Sequence, residues 1–215
     1  MNRALVITLT ALAALAVFGG GAYYYTAQQK EHAASVTASA DTLVRAHSPI
    51  LGKEDAPVTI VEFFDPSCEA CRAFFPLVKN ILATYPDDVR VVIRYTTFHK
   101  GSDEAVRILE AARKQDKFEP VLAALVDKQP EWATHGEPDM KRAWNIAGEA
   151  GLELMGARLD SVKPEVDQVL QTDLADVKAN NVEQTPTFFV NGKLLVNFSP
   201  QGLIDLVKGE VDKTS

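Results

Sequence analysis

VEFFDPSCEACRAFFP, residues Val61 to Pro76, carries both cysteines of a 215-residue chain. A lone C-x-x-C has three chemical readings: a redox-active dithiol, half of a metal site, or two inert core residues three positions apart. A closed tetrahedral zinc site needs four ligands. The chain has no second C-x-x-C and no H-x₃₋₅-H pair, and His47, His99 and His135 stand singly, so no metal is expected. Inert cysteines belong on an apolar face, whereas Pro66 and Ser67 before Cys68 and Glu69 after it read as a turn leading into a helix. This predicts an exposed helix start at Cys68. Unpaired N–H groups and the positive end of the helix dipole stabilise a thiolate there, and such placement lowers a thiol from about 8.5 into the range of roughly 3.5 to 7.5. Cys68 is then the nucleophile. Cys71, one turn further along the same side, is placed to attack a mixed disulfide on Cys68 and resolve it.

The N-terminus differs from the rest of the chain. Arg3 is followed by the apolar run ALVITLTALAALAVF and then GGGAYYYTAQQ, so residues 1–27 read as a membrane anchor or a cleaved signal peptide. The run is long enough to span a bilayer, with tyrosines suited to its interface, while Gly20 and Ala22 offer a small-residue cleavage site. Residues 28–46 are polar, alanine-rich and free of aromatics, the composition of a tether. The remaining chain, 47–215, is long enough to bury a core without disulfide staples, which leaves the cysteines free for chemistry. A formal net charge of −7, with no basic stripe, argues against nucleic acid or anionic membrane surfaces as partners.

VTIVEFF, Val58 to Phe64, is β-branched and aromatic between turn residues and reads as a buried strand. A helix over Ser67 to about Tyr85 follows, with Pro76 inside it, and a second strand over Val89 to Phe98 completes a parallel βαβ unit. From about 102 to 180 apolar residues recur every three or four positions, the pattern of a helical insertion. Strand character returns in TPTFFVNGKLLVNF, where Asn191-Gly192 supplies a two-residue type I′ turn, and a last short helix closes the chain.

This order resembles the thioredoxin fold of the DsbA-like thiol:disulfide oxidoreductases, over roughly Pro49 to Glu210. The fold class implied is α/β: a central mixed sheet flanked by helices, with an inserted helical subdomain. EFFDPSCEAC resembles the segment entering that family's active site, with an acidic residue, here Glu62, six positions before the first cysteine. Pro76 falls where thioredoxins carry a helix-kinking proline. TPTFFVNGK resembles the family's cis-proline loop, which implies that Pro186 is cis, that it faces Cys68, and that the Thr185 backbone is free to pair with a substrate strand. The plain alternative for Pro186 is a strand-initiating proline.

Glu62, buried in a strand, should be pushed up by desolvation, and the resemblance implies that it accepts the proton of Cys71. Arg94 stands where relatives carry a basic residue and is placed to pair with Glu62, either as a structural ion pair or as part of the catalytic group. The family's strongest oxidants carry Pro-His between the cysteines. Glu69 and Ala70 stand here instead, so a negative charge opposes the Cys68 thiolate, and Thr185 before the proline resembles the isomerase and reductase branch. The resemblance implies an enzyme of the periplasm or the extracytoplasmic side of the inner membrane. It would act on cysteine-containing client proteins and be reset by a membrane or periplasmic redox partner, with no cofactor beyond the Cys68–Cys71 disulfide. Oxidase is favoured, because the dimerisation module of the isomerases is missing; reductase, isomerase, and a binding chaperone or metallochaperone on the same scaffold remain alternatives.

Overall fold

A computed structural model describes residues 18–21, 40–134 and 137–214. Most of the anchor or signal segment and most of the tether therefore lie outside the described residues, as does His135. Among the described residues no helix is long and apolar enough to cross a membrane.

From Ala40 onward a four-residue helix α1 (Ala40–Leu43) leads into β1 (Ile50–Gly52), β2 (Val58–Phe64), helix α2 (Glu69–Thr84) and β3 (Val89–Tyr95). Six helices follow: α3 (Ser102–Arg113), α4 (Phe118–Asp127), α5 (Gln129–Trp132), α6 (Met140–Glu149), α7 (Leu154–Ser161) and α8 (Pro164–Ala179). The hairpin β4 (Thr187–Val190) and β5 (Lys193–Leu194) and the helix α9 (Pro200–Val211) close the domain. The strands form one mixed sheet in the order β1-β3-β2-β4-β5, with β2 parallel to β3 and the other pairs antiparallel. This is the thioredoxin fold with a helical insertion. At the hairpin, Asn191 and Gly192 take φ of 46° and 80°, the left-handed pair that a type I′ turn requires.

The register of β2 on β3 sets Glu62 opposite Ile93 and Phe63 opposite Arg94. Side chains alternate across a strand, so these two pairs leave the sheet on opposite faces. On the first face Val58, Ile60 and Phe64 share one core with Cys71, Val78 and Ile81 of α2 and Leu203, Val207 and Val211 of α9. On the second, Phe63 packs edge-on to Phe189 and Arg94 lies over the Phe63 ring, 5.7 Å from its centroid.

Three boundaries differ from expectation. The second strand stops at Tyr95 rather than Phe98, because the N–H groups of Phe98 and His99 turn away to the Asp65 carboxylate. Neither α1 nor β1, four and three residues long, shows a period in the sequence. The domain also begins before His47: Leu43 is buried, Thr42 Oγ1 donates to Asn180, and Arg45 grips Asp176 with two hydrogen bonds.

Arg94 requires the main correction. It does not pair with Glu62, since the register sends it to the other face. There, fully buried, it donates to Asp173 at 2.7 Å, to Asp176 at 2.6 Å, and to the carbonyls of Thr42 and Leu43. Asp173 also holds Tyr95 N at 2.7 Å and His47 Nε2 at 2.7 Å. The cluster ties α1, β3 and α8 together. A buried ion cluster with one partner removed leaves uncompensated charge, which costs about 3 to 5 kcal/mol. Arg94→Met is accordingly expected to lower stability to urea by about that amount, leaving the Cys68 thiolate absorbance midpoint where it was. A moved midpoint would show that Arg94 acts on the other face.

Candidate functional site

Cys68 is the N-cap of α2, with extended backbone (φ −78°, ψ 122°) and no side-chain cap, so the first turn of the helix opens directly at its thiol. It is less open than the sequence suggests, at 6% exposure, and Cys71 is fully buried. Both are free thiols. The Thr185–Pro186 bond is cis, and Cys68 Sγ donates to the Thr185 carbonyl at 3.3 Å. The fold thus brings Cys68, Cys71, Thr185 and Pro186 together, as expected from the motif. Glu69 is exposed and Ala70 half-buried beside them.

The two thiols are driven apart in acidity. Cys68 is lowered to about 5, first by the hydrogen bond from the Cys71 thiol, then by the Thr185 side chain and by the N–H groups of Cys71 and Ala70. The helix N-terminus therefore contributes as expected but ranks behind the second cysteine. Cys71 is pushed far up, by burial first, then by its bond to Cys68 and the charge of Glu62.

Glu62 sits between Ile93 and Phe188 in the sheet, 1% exposed, and neither carboxyl oxygen has a partner. Desolvation, and then the Cys68 charge, raise it to about 8. An unpartnered carboxyl in an apolar wall, coupled to the dithiol through charge, is suited to holding a proton near Cys71.

Two further residues were not found by sequence reasoning. Gln129, 2% exposed, reaches from α5 in the insertion to donate to the carbonyls of Pro66 at 2.8 Å and Cys68 at 3.0 Å, and accepts from Arg72. Nothing in DKQPEW signals this. Asp65, fully buried, accepts from Ser67 N at 2.9 Å, and the Asp-Pro-Ser turn was the available hint.

A family model described as Thioredoxin matches residues 45–208. The chain belongs to the thioredoxin family. Disulfide bond formation protein D of Bacillus subtilis is 30% identical over 183 residues, covering 77% of this chain and 76% of that protein. A solved thioredoxin-like oxidoreductase from Silicibacter pomeroyi superposes with a TM-score of 0.71 at 30% identity, covering 83% of this chain and 100% of the other. The Na(+)/H(+) antiporter NhaA of Herminiimonas arsenicoxydans is 33% identical over 146 residues, but the chain spans only 22% of that protein's length. Within the thioredoxin family this protein is a DsbA-like protein-disulfide oxidoreductase.

The shifts of Glu62 and Cys68 act on stability with opposite sign. Glu62 rises from 4.5 to about 8, so its favourable contribution is complete below pH 4.5 and is lost as pH climbs through 8. Cys68 falls from 9.0 to about 5, so its contribution is present above pH 9 and is lost as pH drops through 5. In the dithiol protein the two largely offset between about pH 5 and 8. In the disulfide form neither cysteine titrates, and desolvation, the larger of the two causes that raise Glu62, still holds it up. Urea unfolding of the oxidised protein should therefore show wild type losing stability from pH 5 to 8, with Glu62→Gln nearly flat; equal slopes in the two proteins would mean that Glu62 is not neutral in the fold.

Proposed function

We propose that the protein exchanges disulfides with cysteine-containing client proteins outside the cytoplasm, with Cys68 as the attacking thiol and Cys71 as the resolving one. The carrying observation is the asymmetry of the pair: a thiol lowered to about 5 at the mouth of a helix, and a fully buried one pushed up behind it. In the oxidising direction a client thiolate attacks Cys68 Sγ of the Cys68–Cys71 disulfide. The new bond joins client to Cys68, and Cys71 departs with the electron pair and takes up a proton, which the Glu62 carboxyl is placed to supply. A second client thiolate then attacks the client sulfur of the mixed disulfide, and Cys68 leaves as a thiolate. The client is oxidised by two electrons and the enzyme reduced by two, so a separate redox partner must re-oxidise the pair. No further cofactor takes part in these steps. Thr185 and Pro186, against the Cys68 thiol, form the edge along which an extended client segment would lie.

Oxidase is favoured because stabilising the Cys68 thiolate stabilises the reduced enzyme and makes its disulfide the stronger oxidant. Reductase or isomerase is the second reading, supported by Glu69-Ala70 between the cysteines and by Thr185 before the proline. Equilibration with glutathione distinguishes them: a potential of roughly −150 to −230 mV is expected, and a value near the −270 mV of thioredoxin favours the second reading. In the same assays Cys68→Ser should abolish exchange, whereas Cys71→Ser should accumulate client adducts on non-reducing gels; adducts on the Cys68→Ser protein instead would reverse the roles.

Location rests on the apolar N-terminal run and on the usefulness of disulfide chemistry in oxidising compartments. Alkaline phosphatase fused after Ser215 is expected to be active, and an inactive fusion alongside a working cytoplasmic reporter would place the domain inside the cell.

A further inference from the structure

We propose that the main-chain N–H of Asp65 is the hydrogen-bond donor that supports Cys71 while it carries negative charge, and that the buried Asp65 carboxylate holds that donor in place. The inference rests on the reading of Cys71 as the resolving thiol.

Asp65 is the residue at which β2 gives way to the active-site turn, and its main chain touches both cysteines. Its carbonyl accepts from Cys68 N at 3.0 Å, and its N–H donates to Cys71 Sγ at 3.5 Å. Its side chain is saturated. One oxygen accepts from Ser67 N and Ser102 Oγ, the other from Phe98 N at 2.8 Å, His99 N at 3.1 Å and His99 Nδ1 at 2.9 Å. A single donor would satisfy an Asx-turn, yet here five donors come from three segments: the active-site turn, the loop after β3, and the start of α3. A carboxylate has about four lone-pair sites, so little freedom is left to it. The main-chain N–H on the same residue is correspondingly immobile.

Cys71 needs such a donor because its surroundings resist a thiolate. Burial, the neighbouring sulfur and the Glu62 charge all disfavour one, and the Asp65 N–H acts the other way. When Cys68 is engaged in a mixed disulfide, Cys71 must give up its proton, to the ionised Glu62 carboxylate or to solvent, in order to attack. The Cys71 Sγ–Cys68 Sγ bond forms, the bond from Cys68 to the departing sulfur breaks, and the departing thiolate takes the electron pair. In the reverse direction Cys71 is the leaving thiolate, and by microscopic reversibility the same N–H serves it. The arrangement is an oxyanion hole transposed to sulfur, built from one donor whose aim is set by its own side chain.

The aryl disulfide 5,5′-dithiobis(2-nitrobenzoate) separates the two steps in one stopped-flow trace. Attack by Cys68 releases the first nitrothiobenzoate, and attack by Cys71 on the Cys68 adduct releases the second. Asp65→Asn keeps the volume but turns an amide NH₂ toward donors. It is expected to slow the second phase about ten-fold or more, the worth of one hydrogen bond to a charged group, and the first phase by less than about three-fold. The double variant His99→Ala/Ser102→Ala keeps Asp65 and removes two of its side-chain donors; it should slow the second phase about three-fold or more with the first nearly unchanged, and it decides the matter if Asp65→Asn does not fold. Both phases slowed by one common factor, or a second phase at the wild-type rate, overturns the inference while the roles of the cysteines stand. Mass spectrometry of the Cys71→Ser protein locates the adduct, and an absence of adduct on Cys68 overturns those roles and the inference together.

Discussion

The parallel register that sets Val58 against Val89 and Phe64 against Tyr95 decides on which sides of the sheet Glu62 and Arg94 fall. It sends Glu62 into the wall shared with Cys71 and sends Arg94 to the opposite face. A one-residue slip of β3 would bring Arg94, a permanent cation, behind the dithiol, and a slip of β2 would instead turn the Glu62 carboxyl toward Asp173 and Asp176. Because β2 is buried on both faces, either outcome would be costly, so packing enforces the register as much as backbone pairing does.

That separation lets the two faces solve opposite problems. Behind Arg94 the charges are numerous and compensated, giving a rigid joint between α1, β3 and α8. Behind Cys71 there is a single carboxyl without a partner, whose proton is held by the cost of desolvation. The first arrangement resists change. The second is poised for it, since a carboxyl with no fixed partner can lose its proton without breaking a hydrogen bond to the protein.

The chemistry of the site was legible because it is local: C-x-x-C at a turn-to-helix boundary, Pro76 five residues on, and Thr-Pro before an Asn-Gly hairpin are patterns of adjacent residues. What was not legible depends on distance in the chain. Arg94 meets Asp173 across 79 positions, and Gln129 meets the Cys68 carbonyl across 61, with no periodicity linking them. Asp65 lay in plain view beside the motif, but a turn-forming aspartate and one that gathers donors from the loop after β3 look the same until that loop is placed. The end of β3 was misjudged for the same reason, since YTTF has strand propensity and only the pull of Asp65 ends the ladder early.

The charge state of the resting dithiol has a consequence for how electrons and protons are counted. Between about pH 5 and 8 reduction leaves Cys68 as a thiolate, while Cys71 ends protonated and Glu62, having passed its proton on, regains one from solvent. Two electrons then enter with one proton, not two. A couple of that stoichiometry shifts by about 30 mV for each pH unit, half the slope of an ordinary dithiol. The enzyme's oxidising strength is thereby partly insulated from acidity, which would be an advantage in a compartment whose pH follows the surroundings of the cell.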